Sequence, residues 1–118
     1  ILNSLGFMSL THLSSVEDAI FAFSIGEDCK AEKILIQVIE ENTSCLEAFR
    51  ALAEVSLSLN KLQQAEDSCR SALQINPNDL ASVVSLARIL VRKGDKVGAE
   101  KASSQARILG WKEELAED

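Results

Sequence analysis

Residues 46–79 read LEAFRALAEVSLSLNKLQQAEDSCRSALQINPND, and this stretch decides the fold. Its apolar residues do not alternate. Leu52, Val55 and Leu59, then Leu62, Cys69 and Leu73, return at steps of three, four and seven, the spacing that gathers side chains on one face of an α-helix. Asn60 separates the two runs, and Asn76 and Pro77 follow the second. Asn tolerates the left-handed backbone that closes a helix, and Pro cannot continue one. Ahead of the first run, Ser44 and Glu47 have capping-box spacing. The stretch predicts two helices joined by a short turn, over Ser44–Leu59 and Lys61–Ile75.

The same hairpin recurs on either side. Ala31, Ala65 and Ala99, each followed by Glu (Glu32, Glu66, Glu100), stand 34 residues apart, as do Ala19, Ala53 and Ala87. Gly26, Asn60 and Gly94 form a third ladder at that interval, and Asn42, Asn76 and Gly110 a fourth. The last two predict six helix ends, two per repeat, closed by residues that accept a left-handed conformation. The Ala ladders predict points where helix axes come close. The remaining helices are predicted over Ser15–Ile25, Glu27–Glu41, Asn78–Lys93 and Asp95–Leu109, with a short C-terminal helix after Gly110 that contains Trp111 and Leu115. Ser14 with Glu17 is a second capping box, and Asn78 and Asp95 are candidate N-caps. No segment alternates long enough to make a strand. The fold class is all-α, helix–turn–helix three times.

The sequence resembles the tetratricopeptide repeat family. In residues 46–79 the residues that carry the resemblance are Phe49, Leu52 and Ala53 in the first helix, Ala65 and Ala72 seven apart in the second, and Pro77 in the closing loop. Residues 80–113 keep Leu86, Ala87, Gly94, Asp95, Ala99 and Ala106, with Val83 for the aromatic and Trp111 for the proline. Residues 12–45 are degenerate: Ala19, Gly26 and Ala31 remain, but Asp18 replaces the Leu and Thr43 the Pro. Residues 1–11 are then an extension ahead of the repeats and 114–118 a C-terminal cap. The resemblance implies an α-α superhelix, a solenoid of three stacked hairpins. First helices would line a concave groove that binds a protein or peptide.

Composition agrees with a packed domain. Apolar residues are 47% and charged residues 25%, ordinary for a globular protein, and five Gly and one Pro argue against low-complexity sequence. A net charge of −6 disfavours nucleic acid, whose binding needs basic surface. No apolar run approaches the ~20 residues of a membrane span. Ile1–Leu13 lacks the basic start of a signal peptide. Cys29, Cys45 and Cys69 are odd in number and form no C-x-x-C, so reduced thiols in a cytoplasmic protein are expected, without disulfide framework, metal or cofactor.

Catalytic constellations are not found. His12, the one histidine, has Glu17 as its nearest acid and no nucleophile on a strained turn. Glu40–Glu41 and Glu113–Glu114 read as solvated faces, and Gly94 with Gly98 as a helix-packing site rather than a phosphate loop. The expected function is a non-catalytic adaptor or scaffold. Its inner face is expected to carry Leu13, Val16, Glu17, Ile20 and Phe23 from the first repeat. Glu47, Arg50, Ala51, Glu54 and Leu57 come from the second, and Ala81, Val84, Ser85, Arg88, Val91 and Arg92 from the third. The candidate groove residues are Val16, Ile20, Phe23, Arg50, Glu54, Arg88 and Arg92: an apolar end for an anchor and a basic end for acidic residues of the partner. Arg50 and Glu54 have the spacing of a helix-surface pair. Family members that clamp the C-terminal carboxylate of Hsp70 or Hsp90 do so with Lys, Asn and Arg. Here Val16, Ile20, Ala51, Ala81 and Ser85 stand at the matching places, so that partner is not expected. The alternative is a structural role, self-association or docking within a larger assembly through the apolar N-terminal end and the Trp111 end.

Overall fold

The computed structural model describes residues 14–117, with side chains to residue 116. Among these residues six helices follow one another without a strand: α1 (14–24), α2 (Asp28–Glu41), α3 (Leu46–Ser58), α4 (Leu62–Ile75), α5 (Leu80–Lys93) and α6 (Lys96–Glu117). Each helix packs on the next, and α3 also touches α5, so successive hairpins stack. The expectations for Leu13 and His12 lie outside the described residues.

The turn inside each hairpin is one device used three times. Gly26, Asn60 and Gly94 have φ of +86°, +60° and +83°. The N–H one residue later bonds back across the last helical turn, Glu27 to the Ala22 carbonyl at 2.8 Å, Lys61 to Ser56 at 2.8 Å and Asp95 to Leu90 at 2.9 Å. These six-to-one bonds satisfy carbonyls the helix would leave bare. The fourth ladder works otherwise. Asn42 and Asn76 end helices, but in extended conformation, with φ of −141° and −139°. Their side-chain oxygens accept from the Ser44 and Asn78 N–H at 3.0 and 3.1 Å, so the Asn side chain mimics the turn. Gly110 ends nothing: α6 runs through it, so the expected separate C-terminal helix is instead the last two turns of α6.

The caps also shift. Ser14 is already helical. Cys45 rather than Ser44 precedes α3 and makes no side-chain cap. Asp79 rather than Asn78 caps α5, accepting from the Ser82 N–H at 3.3 Å. Asp95 caps α6 as expected, through Gly98 N–H at 3.0 Å. A Cβ on Gly98 would stand 2.5 Å from the Asp95 carboxylate, so that glycine serves the cap rather than helix packing.

Two apolar clusters form the core. One joins the first two hairpins around Val16, Ala19, Ala31, Leu35, Ala48, Leu52 and Val55. The other joins the last two around Ala53, Ala65, Cys69, Leu86, Ile89, Leu90 and Ala99. Five ladder alanines are buried and Ala87 is half-buried, consistent with small residues where helices approach.

Candidate binding groove

The first helices α1, α3 and α5 share one face. At its N-terminal half, Ile20 is 52% exposed and Phe23 half-buried. With Ala51, and with Leu35 and Val55 beneath, they line a cleft of about 350 Å³ whose α3 wall carries Glu47, Arg50 and Glu54. Val16 does not belong to this surface. It is 3% exposed and packs in the core, because its turn of α1 faces α2 and α3. Leu57 is likewise buried, covered by the third hairpin.

The charged residues reach across helices rather than along them. Arg50 turns from Glu54 to Asp79, donating from Nε to Oδ2 at 2.8 Å and from Nη2 to the other oxygen. This fork holds two parallel bonds at once. Asp79 is almost fully buried; the Arg50 guanidinium holds its carboxyl below the usual range, and the Asp79 carboxylate in turn raises the pKa of Arg50. Glu54 accepts from Ser85 Oγ at 2.7 Å and from Arg88 Nη2. Arg92 donates to the Leu57 carbonyl at 3.3 Å and to Asn60 Oδ1 at 3.0 Å. The basic end of the groove is therefore internally engaged: Arg50, Arg88 and Arg92 each tie one hairpin to its neighbour. Val84 and Val91 lie beside them, 43% and 66% exposed.

Sequence spacing gave no sign of Asp79 as the anchor of Arg50. The Glu54–Arg88 tie was within reach: the two are 34 residues apart, hence at the same position on neighbouring first helices. The outer side has matching ties. Glu32 accepts from Lys61 Nζ at 2.7 Å and Gln64 Nε2 at 2.8 Å, and Glu66 from Lys93 Nζ at 2.6 Å and Arg70 Nε at 2.7 Å. Both carboxyls are held below their ordinary range, Glu32 by Lys61 and the Gln64 amide and Glu66 by Lys93 and Arg70. Burial pushes the Cys69 thiol up to about 12, which leaves it a packing residue rather than a nucleophile. Among the described residues, no three His, Cys, Asp or Glu side chains gather as a metal site, and no helix is long and apolar enough to cross a membrane.

Solved structures match this arrangement closely. The second TPR of Spaghetti (RPAP3), bound to an HSP90 peptide, superposes with a TM-score of 0.80 at 15% identity, covering 83% of this chain and 91% of that one. The chain has the tetratricopeptide-repeat fold. MamA matches at TM-score 0.84 and 21% identity over 88% of this chain, which spans 61% of MamA. The Yersinia enterocolitica type III secretion chaperone SycD, in complex with a peptide of the translocator YopD, matches at 0.80 and 17%, covering 84% of this chain and 76% of that one. No family model and no curated protein matches the sequence. Proteins with this repeat fold thus include peptide-bound interaction modules.

Proposed function

We propose that the chain is a non-catalytic protein-interaction module that takes a peptide or helix along its α1–α3–α5 face. The observation that carries this is the apolar cleft between α1 and α3, lined by Ile20, which is 52% exposed, and by half-buried Phe23. An apolar anchor of the partner fills that cleft. An acidic residue farther along the partner meets Arg88, which is 53% exposed and keeps donors beyond the one given to Glu54. Arg92 at the end of the face adds positive potential. Val16, Ile20, Ala51, Ala81 and Ser85 offer no cation to a C-terminal carboxylate, so the partner is read through its side chains rather than its chain end.

Panning a displayed peptide library against the wild type, with Ile20→Asp as counter-selection, tests this. Recovered peptides should share an apolar anchor and bind the variant at least about tenfold more weakly, roughly 1.4 kcal/mol. Peptides that bind both proteins alike would remove the groove as the site.

A second reading rests on Val91. It occupies the position of Leu57 one repeat earlier, yet Leu57 is 9% exposed under the third hairpin and Val91 is 66% exposed among the described residues. With Trp111 and Leu115, 64% and 73% exposed, it offers an end surface for self-association or docking in a larger assembly. Light scattering coupled to size exclusion decides: a concentration-independent monomer mass eliminates self-association.

A further inference from the structure

The seat that α5 takes on the second hairpin has a counterpart on the third, and the two are lined differently. In the second hairpin Leu57, Leu62, Ala65, Cys69 and Leu73 pack in one cluster with α5. Their counterparts 34 residues on are Val91, Lys96, Ala99, Ser103 and Arg107, and these line a cleft of about 730 Å³ together with Glu100. Leu62, Cys69 and Leu73 have thus become two cations and a hydroxyl. A further helix of the α5 kind, which brings Val83, Leu86 and Leu90 to its seat, would bury those cations unpaired, an unfavourable exchange for water. The occupant of this seat has to bring carboxylates.

The chain itself carries them at the matching spacing. α6 runs for 22 residues where α2 and α4 run for 14. Trp111 and Glu114, four and seven residues beyond Arg107, therefore continue the helix face that lines the cleft. Along this face the charges alternate in sign: Lys96, Glu100, Arg107, Glu114, all exposed. None of the four makes an ion pair with a described residue; Arg107 donates to the Ser104 hydroxyl at 3.1 Å. The order is its own complement when reversed. A second α6 laid antiparallel sets Lys96 against Glu114 and Glu100 against Arg107, and the midpoints of the two pairs lie only about 2 Å apart along the axis. The same register sets Trp111 against position 99 of the second copy, in the cleft that exposed Val91 also lines. Ser103 and Gly110 keep the face low between the charges, and open space surrounds the Cβ that Gly110 lacks. Building on the self-association reading of the end surface, we propose that this face is a two-fold interface between two copies of the chain, with their α6 helices antiparallel. A two-fold axis makes every contact twice, so it requires a face that matches its own reverse.

Sedimentation equilibrium of the full chain at low salt tests this. The wild type should dimerise, and less tightly as salt rises. Lys96→Glu brings two carboxylates together at both ends of the interface, and Glu114→Lys brings two ammonium groups together there. Each should weaken the dimer at least about tenfold. Both changes in one chain re-form the pairs with their signs exchanged and should return the dimer to within about threefold of wild type. An equimolar mixture of the two single variants should form a heterodimer, since each supplies the charge the other has lost. Both positions are exposed, so far-UV circular dichroism should show the fold unchanged. A mass that stays monomeric up to roughly 1 mM removes self-association through the end surface altogether, and this interface with it. A dimer that neither charge reversal weakens overturns this interface alone and leaves self-association to another surface. Weakening by the single variants with no recovery in the double variant or the mixture overturns the antiparallel pairing.

Discussion

The two seams between hairpins differ on the face they share. Position for position, Ile20, Glu54 and Arg88 are counterparts on α1, α3 and α5. Between α3 and α5 the counterparts are a carboxylate and a guanidinium, and they close on each other, backed by Ser85, Asp79 and Arg50. Between α1 and α3 the counterparts are an aliphatic side chain and a carboxylate that is already engaged, so nothing bridges them and an apolar cleft stays open. One repeat frame thus builds a stitched seam and an open one. The stitched seam ties neighbouring hairpins by side-chain bonds; the open seam leaves an apolar cleft. In a solenoid each hairpin touches only its neighbours, so these differences act locally and can be broken one at a time.

The largest expected effect comes from Asp79→Ala. It removes the α5 cap and strands the Arg50 guanidinium in a half-buried position, at a cost of about 2–4 kcal/mol in urea denaturation. A loss under about 1 kcal/mol would mean that the fork is idle. Next is Ala53→Leu, at a position 1% exposed, expected to overpack by about 1–3 kcal/mol. Ala87→Leu should cost less, because Ala87 is only half-buried. Equal losses would show that helix approach does not set these positions.

Gly94→Val should cost about 1 kcal/mol or more. Open space surrounds the missing Cβ, so the whole penalty is the positive φ, and Gly94→Asn should be milder. The smallest effect is on pH dependence. Glu32, Glu66 and Asp79 have carboxyl pKa values lowered by their cationic partners in the folded state. Their stabilisation is complete above the ordinary carboxylate values of about 4 and is lost as pH falls through the lowered folded values. Thermal midpoints followed from neutral pH to pH 3 should therefore fall, and Asp79→Asn should flatten part of that fall.

Much of this was legible in the chain. The 34-residue ladders located every hairpin, and the Gly26–Asn60–Gly94 ladder identified left-handed turns, because positive φ has few residues that accept it. Asn42 and Asn76 misled about conformation, since Asn closes a helix either through its backbone or through its side chain. Gly110 misled because one glycine costs a helix only about 1 kcal/mol, and α6 runs through it. Capping residues were displaced by one, Asp79 for Asn78, where two acceptors adjoin. Of the three residues expected at the apolar end, Ile20 and Phe23 line the α1–α3 cleft while Val16 is buried, and the pairing of the charged residues was not legible. Arg50 and Asp79 are 29 residues apart, a separation at which only the stacked helices, and no local rule, choose the partner.

The open seam is tested most directly by amide chemical-shift mapping with a peptide selected on the wild type. Perturbations should centre on Ile20, Phe23 and Ala51, with Ser82 and Asp79 of the stitched seam little changed. Perturbations centred on Ser82, Ser85 and Asp79, with Ile20 and Phe23 unmoved, would contradict the division between an open and a stitched seam.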